Sequence, residues 1–340
     1  MTIYRLRLAL RSPLGTPLAA DTLFGHLCWG IVYHEGAEHL TRFLADMEQP
    51  SPPLVISDPL PAGYWPMPAL PEPPPRTLDG LINSTGAGSP LEAHDQVRSV
   101  LKRRFIPHAS WPGLAERLDM GSVARVLLHS RTADPVPVKA FTLPHNTVNR
   151  LTSHTSTATE EGGTSGGLFF DEYLFPNGSG GRVDYDVWAA SSYPAERVHR
   201  IFAQGLAGGY GKDAGTGKGF LTVEGIDETS LPAVGEPNGV ITLGTCVPSR
   251  EDPTHGAWLI EVRHGRLGGA WTSLDESAVF KRPVMMLARG AVFRTSSPRP
   301  VMGRMVHDVH PVRSEVVTCG YTLTLPVHLT EEAVPCQPIG

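Results

Sequence analysis

One residue in five of this chain is glycine or proline, 36 and 32 of 340, and that density sets the limits of the fold. Proline removes a helical N–H and clashes with the preceding turn, while glycine costs a helix about 1 kcal/mol relative to alanine. A helical bundle is excluded; short strands, many turns and long loops are expected. The share stays under the roughly 25–30% that marks disordered Pro/Gly-rich chains. At about 150 residues per domain the length predicts two domains with room for a large core.

Charge and cysteines narrow the function classes. Acidic residues outnumber basic ones, 34 to 29, for a net charge of −5, so a nucleic-acid site would have to rest on local charge. Cys28, Cys246, Cys319 and Cys336 form no Cys-x-x-Cys pair, which disfavours a zinc knuckle and a secreted disulfide framework. Arg5, Arg7 and Arg11 interrupt the N-terminal segment, so a signal-peptide core is missing there. No run of 18 apolar residues occurs. The expected setting is reducing and cytoplasmic.

Along the chain, Leu6, Leu8 and Leu10 alternate with Arg5, Arg7 and Arg11, a strand with a basic exposed face. Asp21 is expected to cap a helix carrying the stripe Leu23, Phe24, Leu27, Cys28 and Ile31. The proline-dense stretch 50–90 reads as loop or extended chain, with short strands at 54–56 and 64–67. Residues 92–104 read as a helix ending in Arg98, Lys102, Arg103 and Arg104. Residues 139–175 are polar in the middle and apolar at both ends, the pattern of a long hairpin or finger. A second helix starts at Pro194 and carries Val198, Ile201, Phe202 and Leu206. A strand at 220–223 follows, and beyond Pro232 the patterns are mostly strands: 240–246, 257–263, 284–293 and 321–327. Between Arg263 and Arg313 nine basic residues face three acidic ones, a local charge of +6.

The sharpest chemical signal lies between the second helix and its strand: Gly208, Gly209, Tyr210, Gly211, Lys212, Gly215, Gly217, Lys218 and Gly219. A phosphate-binding Walker loop is excluded, because Lys212 stands where its first Gly belongs and Gly219 replaces its Ser/Thr. Both nucleotide motifs also run strand–loop–helix, whereas this loop runs helix–loop–strand. Two readings stay open: a helix C-cap with a connector, or a loop contacting a polynucleotide backbone through glycine N–H groups and the two lysines. Tyr210 and Phe220 are candidate stacking faces. In the finger, His145, Asn146, Asn149 and Arg150 carry donors suited to bases and phosphates. Gly163-Thr164-Ser165-Gly166-Gly167 matches the nucleophile-elbow string without its strand and helix, and is read as chance in a Gly/Ser-rich stretch. No metal site is expected, since the pairs His307/His310 and His94/Asp95 lack further ligands at helical spacing. His26 or His145 would be the general base if the chain cleaved RNA.

Three segments together resemble a known family. They are Ser12-Pro13-Leu14 leading to Ala20-Asp21-Thr22-Leu23-Phe24-Gly25, the Gly-rich loop, and the finger running from Asn146–Arg150 to Phe170-Asp171-Glu172. The combination resembles the RAMP superfamily of CRISPR–Cas systems, and within it the type III-A Csm effector subunit four, which holds the 5′ tag of the guide RNA. The resemblance implies an α+β chain of two ferredoxin-like (RRM-like) domains, 1–228 and 229–340, with a long inserted hairpin and a Gly-rich loop. It implies a non-catalytic subunit without cofactors that binds the crRNA 5′ tag. Its partners would be a large Cas-ten-type subunit and the backbone RAMP subunit. The loop would pack near the guide and the hairpin would act as a thumb-like wedge. Two alternatives are a metal-independent repeat-RNA endoribonuclease of the same superfamily and, more remotely, a serine hydrolase using Ser165.

Overall fold

The alternating N-terminus forms β1 (Thr2–Leu10), the strand on which the first unit is built. The structure, a computed structural model, describes residues 1–130, 132–146, 148, 167–269, 271 and 279–334. After β1 come α1 (Ala20–Glu35), α2 (Ala37–Met47) and β2 (Leu54–Ile56). The insertion that follows holds β3 (Leu60–Pro61), β4 (Tyr64–Pro66), α3 (Pro75–Ser84), α4 (Pro90–Leu101), β5 (Phe105–Pro107), α5 (Trp111–Ala115) and α6 (Met120–Ser130). A hairpin of β6 (Val138–Asn146) and β7 (Leu168–Pro176) projects next. Then β8 (Val183–Ser191), α7 (Ala195–Leu206) and β9 (Leu221–Thr229) complete the unit.

The first sheet runs β2-β8-β1-β9 with every neighbour antiparallel. With α1 joining β1 to β2 and α7 joining β8 to β9, the plan is βαββαβ, the ferredoxin-like arrangement. Leu6, Leu8 and Leu10 of β1 are fully buried against Leu23, Leu27 and Ile31 of α1 and Val198, Ile201 and Phe202 of α7. Both predicted helical stripes thus face the same side of the sheet. The two helices cross where neither has a side chain: a Cβ on Gly30 would lie 2.6 Å from Gly205 N.

Two local expectations are corrected. Asp21 does not cap α1. The N-cap is Ala19, without a side-chain bond, and the first helical N–H, of Ala20, donates to Asp58 Oδ1 at 2.9 Å. A residue 38 positions away supplies the cap, which frees Asp21 to pair with Arg263. The proline stretch is not all loop: it contains α3, which starts on Pro75, where the missing N–H would have had no helical acceptor.

The C-terminal region contributes β10 (Gly239–Thr242), β11 (Gly256–Ala257), β12 (Ile260–Arg263), β13 (Val284–Leu287), β14 (Val292–Arg294), β15 (Val301–Met302), β16 (Met305–Val306), β17 (Thr318–Cys319) and β18 (Thr322–Val327). Its main sheet runs β11-β14-β10-β18-β15. The chain is α+β as expected, but among the described residues no α-helix follows Leu206. The helices packed with this sheet come from the insertion. Leu81, Val97, Trp111, Val123 and Leu127 share one core cluster with Ile241, Leu243, Val292, Leu323 and Leu325. The residues beyond Pro232 carry strand and turn signals with no helical stripe of their own, so the sheet borrows its apolar cover.

Candidate nucleic-acid interface

The Gly-rich loop leaves the end of α7 and doubles back onto the chain between β1 and α1 before entering β9. Gly209, Gly211, Gly217 and Gly219 have positive φ, as does Asp213 at 61°. At Gly219 a Cβ would fall 2.0 Å from Tyr210 O, and at Gly211 it would strike Thr16 at 2.7 Å. Those two positions require glycine for both space and backbone angle.

The loop's amides are largely engaged by the protein itself. Tyr210 N–H donates to Gly219 O, Gly219 N–H to Pro13 O, Lys218 N–H to Asp213 O and Gly217 N–H to Ala214 O. Gly211 N–H donates to His26 Nε2 at 3.0 Å and Lys212 N–H to Thr16 Oγ1 at 3.0 Å. The expected phosphate cradle of glycine amides is therefore corrected at these positions: their donors already hold the loop's shape, and the lysine side chains are what it presents. Tyr210 is corrected as well. Its ring is fully buried, its hydroxyl donates to Pro17 O at 2.9 Å, and the same hydroxyl oxygen accepts Ala19 N–H at 3.0 Å. It has no face to offer a base. Phe220 is 50% exposed and does.

His26, on α1 beneath the loop, is held neutral: burial pushes its pKa down to about 4. Because its Nε2 already accepts Gly211 N–H, it has no free lone pair for a 2′-hydroxyl proton. As a general base it is ruled out by position.

The hairpin meets the loop at its base. Register pairs Asn146 with Leu168, His145 with Phe169 and Phe141 with Tyr173. The period of two places Phe169, Asp171 and Tyr173 on one face with His145. Tyr173, buried there, donates its hydroxyl to Asp213 Oδ2 at 2.7 Å. Lys212 Nζ is ion-paired with Asp171. Lys218 Nζ sits 4.9 Å from the centre of the Tyr173 ring, and Lys212 Nζ is 5.8 Å from the same centre. The neighbouring Asp213 carboxylate and the loss of solvent raise the Tyr173 hydroxyl to about 12, so it stays a donor. Further out, His145 stacks on Phe169 at 5.3 Å, Asn146 is exposed, and Phe141, Phe169 and Phe170 are about half exposed.

The structure thus brings Lys212, Lys218 and His145 to one face about the junction, while Asn146, paired with Leu168, lies on the hairpin's other face. Asn149, Arg150 and Ser165 lie outside the described residues. Asp171, Tyr173 and Asp213, which make the junction, were not singled out from sequence as site residues; the aromatic-acidic run Phe170-Asp171-Glu172 was the available signal. The local +6 of 263–313 is not a free basic face. Arg263 pairs with Asp21 at 2.9 Å, Arg289 with Asp58 at 3.3 Å, Arg299 with Asp252 at 2.8 Å and Arg313 with Glu315 at 3.2 Å. Lys281 is half-buried and donates to Val317 O. Among the described residues no group of three His, Cys, Asp or Glu is placed to hold a metal ion, and no helix is long and apolar enough to cross a membrane.

The first unit is thus a ferredoxin-like sheet with a Gly-rich loop after its second helix and a hairpin standing over that loop. The chain shares its fold with chains of solved Csm1-Csm4 cassettes. It aligns with a chain of the crystal structure of a Csm1-Csm4 cassette in complex with pppApA, at 17% identity over 97% of this chain and 100% of that one, with a TM-score of 0.56. Cassettes in complex with AMPPNP (16% identity, 97% and 100% covered, TM-score 0.56) and with cA4 (17%, 96% and 99%, 0.53) align in the same way. No protein-family model and no curated protein matches the chain.

Proposed function

We propose that this chain is a non-catalytic subunit of a type III CRISPR RNA-guided effector. It holds the 5′ tag of the crRNA and caps the protein backbone beside the large Cas-ten-type subunit, with the backbone RAMP subunit on its other side, in the cytoplasm. The observation that carries the reading is the junction itself. Two lysines over one buried tyrosine ring lie at the foot of a hairpin lined with half-exposed phenylalanines. Cations that meet a backbone without reading it, beside aromatic faces for bases, are what single-stranded RNA binding requires; stacking contributes about 1–3 kcal/mol per base. The engagement of His26 supports the non-catalytic part. The likeness in fold to chains of Csm1-Csm4 cassettes supports the choice of assembly.

The test is to co-express the chain with the large and backbone subunits and size the RNA that copurifies. One discrete species with a common 5′ end is expected, and in binding to it Lys218→Ala should weaken the full chain. Affinity should fall with salt, at a log–log slope near −0.7 per neutralised phosphate. A flat salt response, or cleavage of repeat RNA in EDTA, overturns the proposal.

A further inference from the structure

Resting on that reading, the geometry points to Asp171 as an internal stand-in for an RNA phosphate: its carboxylate occupies Lys212 in the free chain, and a backbone phosphate displaces it on binding. We infer this from how unequally the two lysines are committed. Lys212 Nζ hydrogen-bonds Asp171 Oδ1 and lies 4.0 Å from Asp213 Oδ2. Lys218, over the same ring, makes no ion pair among the described residues and has only the π-face of Tyr173. The two carboxylates have different duties. Asp213 is fixed by the Tyr173 hydroxyl at 2.7 Å, so it belongs to the scaffold. Asp171 is anchored chiefly by Lys212, whose hydrogen bond and then charge hold its pKa below the usual carboxylate range, with a smaller contribution from the Tyr173 hydroxyl.

Chemically, a carboxylate and a phosphodiester are interchangeable acceptors for an ammonium group. The Lys212–Asp171 pair is part-exposed, with 43% and 24% of the side chains accessible. Part-exposed pairs of this kind are weak enough to exchange. Lys218 would take the first phosphate, and Lys212 the next once Asp171 gives way. Because Asp171 stands on β7, its release also loosens the hairpin from the loop. Lys212 then changes partner while the Tyr173–Asp213 bond keeps the hairpin's foot in place. A subsite closed in this way admits a strand that engages both lysines and discriminates against isolated anions.

The test uses the full chain and a fluorescently labelled single-stranded RNA of the repeat-derived 5′ tag, read by anisotropy at low salt. Inorganic phosphate and the same sequence as DNA serve as competitors. Asp171→Asn should bind the RNA about two- to five-fold tighter than the unaltered chain, the factor set by the pair it removes, and Lys212→Ala should abolish that gain. Asp171→Ser serves in the same role if the Asn variant melts early, and Tyr173→Phe, which leaves all charges in place, should not produce the gain. If Lys218→Ala weakens binding while Asp171→Asn leaves it unchanged or weaker, the stand-in role is overturned and the RNA site stands. If neither lysine variant alters binding, the reading of the junction as an RNA site fails, and this inference with it.

Discussion

His26 is the residue through which helix α1 holds the Gly-rich loop, since its Nε2 accepts the amide of Gly211 at 3.0 Å. That bond exists only for the neutral imidazole. Burial lowers the folded pKa to about 4, while the unfolded chain titrates near the ordinary value of about 6.5. As pH falls the unfolded state therefore takes up the proton first. The stability this group contributes is complete above about pH 6.5 and is lost progressively down to about 4. Thermal melts across that window should show a steeper fall for the unaltered chain than for His26→Gln, together with faster amide exchange at Gly211; equal slopes would contradict the assignment. Tyr210 is the second such residue. Tyr210→Phe removes a hydroxyl bonded to both Pro17 O and Ala19 N–H and leaves a buried donor unpaired. Urea melts should show a loss of about 1–3 kcal/mol. Neither role was legible in the sequence. A tyrosine among glycines reads as exposed, and nothing local reveals that its partners lie almost two hundred residues upstream.

At the scale of elements, legibility followed the range of the interactions. β1, α1 and α7 were readable because each carries its own periodic stripe. β2 was placed at its residues 54–56 despite seven prolines within twelve positions on either side. α3 was not, since Pro73, Pro74 and Pro75 signal extended chain until the last of them becomes a first helical residue. The cap of α1 was missed for a similar reason: Asp58 arrives from the strand region, not from the preceding turn. The helix crossing yields a sharper statement. A Cβ at Gly205 would lie 2.9 Å from His26 O and from Leu27 Cα, backbone atoms that cannot turn aside. At Gly25, in the same helix α1, nothing lies within 4 Å. Alanine gains about 1 kcal/mol of helix propensity at either site, but overpacking at the crossing costs about 1–3 kcal/mol. Gly205→Ala and Gly30→Ala should lower the unfolding midpoint while Gly25→Ala leaves it equal or higher. The same sign at all three positions would show that the helices do not meet as described.

At the scale of the whole molecule, both the charge and the core depart from a residue count. The net −5 and the local +6 describe sums, whereas four of the eight arginines of 263–313 are tied to Asp21, Asp58, Asp252 and Glu315. Two of those ties, Arg263–Asp21 and Arg289–Asp58, join the C-terminal region to the entrance of α1, directly beside the Gly-rich loop. The core is joined in the same way. Leu127 of α6 and Leu325 of β18 are both fully buried in one cluster, although almost two hundred residues separate them. An insertion that supplies the cover of a distant sheet cannot open alone without exposing that sheet. Leu127→Ala and Leu325→Ala should each cost about 2–5 kcal/mol. Hydrogen exchange on the Leu127→Ala variant should show amides of β10 and β18 losing protection along with those of α6. Protection lost only within α3–α6 would mean that the inserted helices and the C-terminal sheet fold as separate bodies. Loss on both sides means that the loop–hairpin junction is carried by one cooperative scaffold, so that a phosphate accepted at Lys218 acts on a surface whose supports cannot yield one at a time.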